Sequence, residues 1–196
     1  SIKLNLRQLQ QLATLMGAIE IISEQRTTVR IQTSSCRLQR FSGDYGKWNV
    51  GGSSFDMVSF IADQDIEISG IGLGNCLTVG GSIIVDCIEI RKSRSSRGDV
   101  VYRHPATIRL NYSGVETDKY PKVNFSDGVR IKKHKVYTIK VHYSTKGTVF
   151  AAGGTVATSA GGTSFKFMKT ACEGGDEDNN GNAKTAGPIR DLYFTN

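Results

Sequence analysis

From Leu4 to Ile22 apolar residues return every three or four positions: Leu9, Leu12, Leu15 or Met16, Ile19 and Ile22, with Gln, Arg and Glu between them. That is the period of a helix with one buried stripe. One amphipathic helix and its linker are therefore expected over residues 1–27. Gly17 costs it about 1 kcal/mol relative to Ala, which weakens the helix without ending it. Such a helix docks on a domain, continues an upstream region, or binds a partner.

Past Thr27 the spacing shortens to two, and Gly, Asn, Asp and Ser punctuate short β-type runs. Strands are expected over Thr28–Ile31, Met57–Ala62, Ile66–Leu73, Ile83–Ile90, Thr107–Tyr112, Val136–Tyr143, Thr163–Lys169 and Ile189–Phe194. In VYTIKVHY, Tyr137, Ile139, Val141 and Tyr143 share one face. The other carries Val136, Thr138, Lys140 and His142 and reads as solvated. Many strands with no helices between them predict an all-β fold over residues 28–196, an antiparallel β-sandwich or a barrel.

Composition narrows the class. The chain has 196 residues, 38% hydrophobic, enough to bury one core. Its most apolar window, Leu6–Ile22, contains Arg7 and Glu20 and cannot cross a bilayer. No signal-peptide pattern is present in these residues, and it is the cysteine usage that points to an intracellular location. The four cysteines, Cys36, Cys76, Cys87 and Cys172, form no C-x-x-C pair. An even count permits two disulfides, but their low density favours four reduced thiols.

The net charge of +7 is local. RKSRSSR (Arg91–Arg97) and RIKKHK (Arg130–Lys135) hold four basic residues each, and the remaining 17 nearly balance 18 acidic ones. Neither run interleaves the aromatics that stack bases, so solvated loops are favoured over a nucleic-acid footprint. RKSRSSR reads as a hairpin tip, and RIKKHK as lysines guarding a sheet edge.

No catalytic set emerges. His104, His134 and His142 accompany no nucleophile motif, and Asp63 and Asp65 read as turn residues. Gly70, Gly72 and Gly74 in ISGIGLGN miss the dinucleotide fingerprint, because the third glycine comes early and another β-type run follows. They are expected to serve backbone geometry, at a bulge or a close strand approach. No cofactor is expected.

CEGGDEDNNG, Cys172–Gly181, sets Asp176, Asp178 and Asn180 at the spacing that opens an EF-hand loop. Position twelve from Asp176 is Gly187, followed by Pro188, where a bidentate acid and a helix are needed. The metal- or ligand-regulated reading of 173–181 therefore stands below that of an acidic connection between strands.

Several motifs recur in a familiar order. They are Arg40–Phe41, Trp48, DMVSF (Asp56–Phe60), GIGLGN (Gly70–Asn75), KVNFSDGVRIKKHKVYTIKV (Lys122–Val141), FKF (Phe165–Phe167) and IRDLYF (Ile189–Phe194). In this order they resemble a PHR domain, as found in the Pam/Highwire family of giant RING-type ubiquitin ligases (Myc-binding protein two type) and in BTB–BACK–PHR proteins. Gly74–Asn75 stand where the family has Tyr-Gly, and RKSRSSRGDVVYRHP resembles an insertion, which points to the ligase type. The resemblance implies a β-sandwich that binds protein partners or ligase substrates and has structural roles for Trp48 and the three glycines. It also implies a parent that acts in axon and synapse development, in cytoplasm, axon or nucleus, with its zinc-dependent ubiquitin chemistry elsewhere. Charge steers association, so Arg91, Arg94, Arg130 and Lys132 are the expected partner-binding residues.

Overall fold

A computed structural model describes residues 35–48, 55–144, 148–152, 154, 156–171 and 186–196. The expected helix over 1–27, the strand Thr28–Ile31 and the acidic stretch with Asp176, Asp178 and Asn180 lie outside the described residues.

Two antiparallel sheets carry the fold. The smaller has the order β1 (Cys36–Gln39), β14 (Ile189–Thr195), β4 (Ile66–Leu73) and β8 (Lys122–Ile131). The larger runs β11 (Ala157–Ala160), β12 (Thr163–Met168), β3 (Asp56–Ala62), β9 (Val136–Tyr143), β5 (Ser82–Lys92) and β6 (Asp99–Arg103). β7 (Ile108–Asn111) pairs with the first half of β5, while β6 takes its second half. A separate ribbon joins β13 (Ala186–Gly187), β10 (Thr148–Ala152) and β2 (Gly43–Trp48).

Alternation decides which side chains enter the core. Ile66, Ile68 and Ile71 of β4, with Leu192 and Phe194 of β14, form one inner face. Val58 and Phe60 of β3, Ile139 and Val141 of β9, and Phe165 and Phe167 of β12 form the other. Phe165 meets Phe194 edge-on across the layers, with ring centroids 5.1 Å apart. The sequence-expected all-β sandwich is the observed one, and the β4 and β9 limits coincide with the expected ones.

The outer face of β9 differs from expectation. Thr138 and Lys140 are buried and His142 is half-buried, so that face is not solvated. Two coverings account for it. Phe55 lies over Lys140, whose Nζ is 3.8 Å from the ring centroid, and the β5–β6 tip caps Thr138, whose hydroxyl donates to the Ser93 carbonyl at 2.6 Å. A lysine stem buries readily when an aromatic face receives its charge.

Candidate interaction surface

Strand registers bring the two basic segments to one end of the sandwich. Arg91 of β5 stands opposite Thr138, near the start of β9, and the turn holding Lys132–Lys135 leads directly into that start. The turn between β3 and β4 and the β11–β12 turn reach the same end: His134 N–H donates to the Ala62 carbonyl, and Asp63 N–H to that of Ser164. Segments about forty residues apart in sequence thus become neighbours in space.

The β5–β6 tip is a built structure. Ser93 Oγ accepts the Ser95 amide at 2.9 Å, and Ser95 Oγ accepts that of Arg97 at 3.1 Å, the local turns for which serine is suited. A parallel bridge ties Ser95 to Ala171, with Ala171 N–H donating to the Arg94 carbonyl and Ser96 N–H to the Ala171 carbonyl. Below it, Ser59 Oγ lies 2.8 Å from Thr138 Oγ1 and 3.0 Å from Thr170 Oγ1, a hydroxyl cluster that stitches β3 and β9 to the segment after β12.

The four candidate cations sit differently. Arg94 is exposed, and its Nε donates to the Lys169 carbonyl at 3.1 Å. Arg130 is exposed on β8 opposite Glu67. Lys132 is exposed and pairs with Asp65 at 2.9 Å. Asp65 also accepts the Lys133 amide, and these bonds, the backbone one foremost, hold its carboxyl below the usual range. Arg91 is the exception, with a side chain only 14% exposed. It pairs with Glu89 and donates to the Gly98 carbonyl at 3.1 Å, so it braces the hairpin.

Glu89, which the sequence reading did not single out, is buried in β5 between Arg91 and Arg103. Burial pushes its carboxyl up, but bonds from both arginines outweigh this and leave it below the usual value. The sequence gives little sign of it, since β5 reads SIIVDCIEIRK and carries Asp86 as a second acid.

The glycine motif sits against neighbouring strands. A Cβ on Gly70 would strike the Val123 carbonyl, and one on Gly72 would lie 2.5 Å from Asp191 Oδ2. Gly74 is buried and its amide donates to the Pro188 carbonyl at 2.8 Å. The next residue, Asn75, is buried and donates to the carbonyls of Asn111 and Asp118, both at 2.8 Å, which locks the opposite loops together. Trp48 occupies the end of β2, opposite Thr148. Arg40 is buried, with its guanidinium 4.5 Å from the rings of both Phe41 and Phe167. Burial lowers its pKa to about 9 against the opposing pull of Asp191.

Cys87 faces His142 across the β5–β9 pair, but burial, followed by Glu89, pushes its thiol above the ordinary value, the reverse of an activated nucleophile. His142 is held by Asp86 at 2.5 Å and by Phe55, with ring centroids 4.9 Å apart. Among the described residues, no three His, Cys, Asp or Glu side chains group as a metal site, and no helix is long and apolar enough to cross a membrane.

A search of curated proteins finds no match to the chain. The sequence model of the PHR domain, a non-catalytic type associated with protein interaction, matches residues 39–195. That span takes in both sheets apart from the first three residues of β1, the glycine motif and the basic end, and the chain therefore belongs to the PHR domain family.

Proposed function

We propose that this PHR domain is the partner-binding module of a large intracellular E3 ubiquitin ligase of the Pam/Highwire type. The parent acts in axon and synapse development, in cytoplasm, axon or nucleus, and transfers ubiquitin through a zinc-bearing region elsewhere. The observation that carries the binding reading is the meeting of two basic segments at one end of a non-catalytic sandwich. Arg94 and Lys132 offer exposed cations there, Arg130 stands exposed on β8 beside that end, and Arg91 keeps the hairpin in place. Rigid strands carrying such turns are the usual base for a recognition surface. The ligase setting is supported by the ordered motifs from Arg40–Phe41 to IRDLYF and by the inserted hairpin.

Capture from neuronal extract on the folded 196-residue chain tests both levels. A specific protein should be retained, its recovery should fall at least tenfold with Arg94→Glu and Lys132→Glu together, and it should gain ubiquitin when the parent protein is present. No specific partner on a chain shown to be folded by circular dichroism would overturn the binding reading. A partner whose ubiquitylation ignores the parent would overturn the ligase setting alone.

A further inference from the structure

One flank of the sandwich ends in two strand edges, β6 of the larger sheet and β8 of the smaller, that pair with no further strand among the described residues. Between them lies a cleft of about 570 Å³, lined by Val101, Tyr102, Arg103, Ser126, Asp127 and Arg130 among others.

The β8 wall is a bulge. Asn124 pairs with Gly70 and Val129 with Ile68, so Phe125, Ser126, Asp127 and Gly128 all stand against Ser69 alone. Extra residues in one strand bend it out of the ladder. Phe125 stays buried, with its ring centroid 4.4 Å from that of Tyr102, and this pair links the two walls. Gly128 permits the bend, since a Cβ there would collide with the Glu67 side chain.

The β6 wall is an apolar edge. Val100 and Val101 are 41% and 44% exposed, and the register break against β5 leaves Val101 without a partner there. An exposed apolar edge presents unpaired backbone N–H and C=O groups, which template the addition of another strand. The charge on the rim is mostly positive. Arg103 remains 66% exposed although it pairs with Glu89, and Arg130 makes no ion pair among the described residues. Asp127 is the acid among the lining residues.

We propose that the cleft binds an extended, acidic peptide segment of a protein partner, which adds a strand to the outer edge of β6. Backbone bonds supply the affinity in such additions, and alternate side chains supply the selectivity. Here an apolar side chain rests on Val101 and Tyr102 while a carboxylate meets Arg130. The five residues of β6 match a segment of about 17 Å. The proposal rests on the protein-binding reading and specifies a second surface for it, beside the basic end.

A phage-displayed library of nine-residue random peptides, panned on the 196-residue chain, provides the probe. Enriched peptides are expected to carry Asp or Glu flanked by β-branched or aromatic residues at alternate positions. Fluorescein-labelled copies should bind at least tenfold more weakly to the Arg130→Glu variant, and within twofold of wild type to Arg94→Glu. N-methylation of the peptide backbone at alternate residues should abolish binding in one phase, and bound peptide should slow hydrogen exchange at Val101–Arg103. The cleft is overturned if no acidic peptide is enriched, or if binding ignores both Arg130→Glu and N-methylation. Protection at Ser93–Gly98 or Lys132–Lys135 instead, or sedimentation showing β6 occupied by a second copy of the chain, also overturns it. A captured partner that tolerates Arg130→Glu but is lost with Arg94→Glu and Lys132→Glu leaves the binding reading standing without the cleft. Loss of all specific capture removes both.

Discussion

Tyr143 closes β9 fully buried, and its hydroxyl has no hydrogen-bond partner among the described residues. An unpaired buried hydroxyl costs about 1–3 kcal/mol. Burial, then Asp56 and Tyr120, pushes its phenol well above the ordinary value. Tyr143→Phe keeps the ring and deletes the orphaned oxygen, so a stability gain of about 1 kcal/mol is expected in urea unfolding at pH 7. The pH dependence has a definite sign. Between its unfolded value near 10 and the higher folded one, the phenol keeps its proton only when folded, so this contribution to stability is present below about pH 10 and is lost above it. The variant's urea midpoint should therefore fall less steeply than wild type above pH 10. A loss of more than 1 kcal/mol at pH 7 would show that the hydroxyl has a partner. Tyr143 also marks what single residues disclosed in advance. Its inward face was legible from alternation, whereas Lys140, on the opposite face of the same strand, reads as solvated and is buried. Alternation counts a lysine as outside, and only the placement of Phe55 in the fold reveals the ring that takes its ammonium.

At the scale of elements, regular alternation and not length decided what was legible. The ten residues of β8 were not among the expected strands, because the bulge at Phe125–Gly128 breaks their period. The four of β7 fall within the expected Thr107–Tyr112. β4 and β9 carry enough alternating β-branched residues to define both ends. β6 is DVVYR, five residues with charges at each end and no alternation to read. The β5–β6 hairpin therefore appears in sequence only as a basic tip, and its internal clasp, Glu89 between Arg91 and Arg103, is invisible there. That clasp makes a testable element. The Glu89 carboxyl is held below its ordinary 4.5, so its stabilising contribution is present above that value and is lost as pH falls through the folded one. Glu89→Gln should lower stability by about 1–3 kcal/mol near pH 7, since Arg91 then loses its charge partner beneath the hairpin. The gap to wild type should close as pH drops below about 4.5. Urea midpoints at several pH values measure this. A gap that persists undiminished at pH 3 would mean the loss comes from packing and not from the charge.

At the scale of the molecule, the two basic runs were legible but their adjacency was not, because it depends on the pairing of Arg91 with Thr138 across the sheet. The consequence is an end of the sandwich where Arg94, Arg97, Lys132, Lys133 and Lys135 gather with Asp63 and Asp65, and Asp65 is already paired with Lys132. Like charges held together by the fold repel, and that repulsion disfavours the folded state while it draws in acidic partners. Stability and binding should then respond to the same change with opposite signs. Arg97 and Lys133 are exposed, so reversing both leaves the core untouched. The double variant Arg97→Glu/Lys133→Glu should melt about 1 °C above wild type at 20 mM NaCl, a gain of a few tenths of a kcal/mol. The difference should vanish by 500 mM, where the screening length falls to about 4 Å. The same variant should capture less of any partner held at this end. If it instead melts lower at low salt, the cations at this end are satisfied by the fold itself and do not stand ready for a ligand.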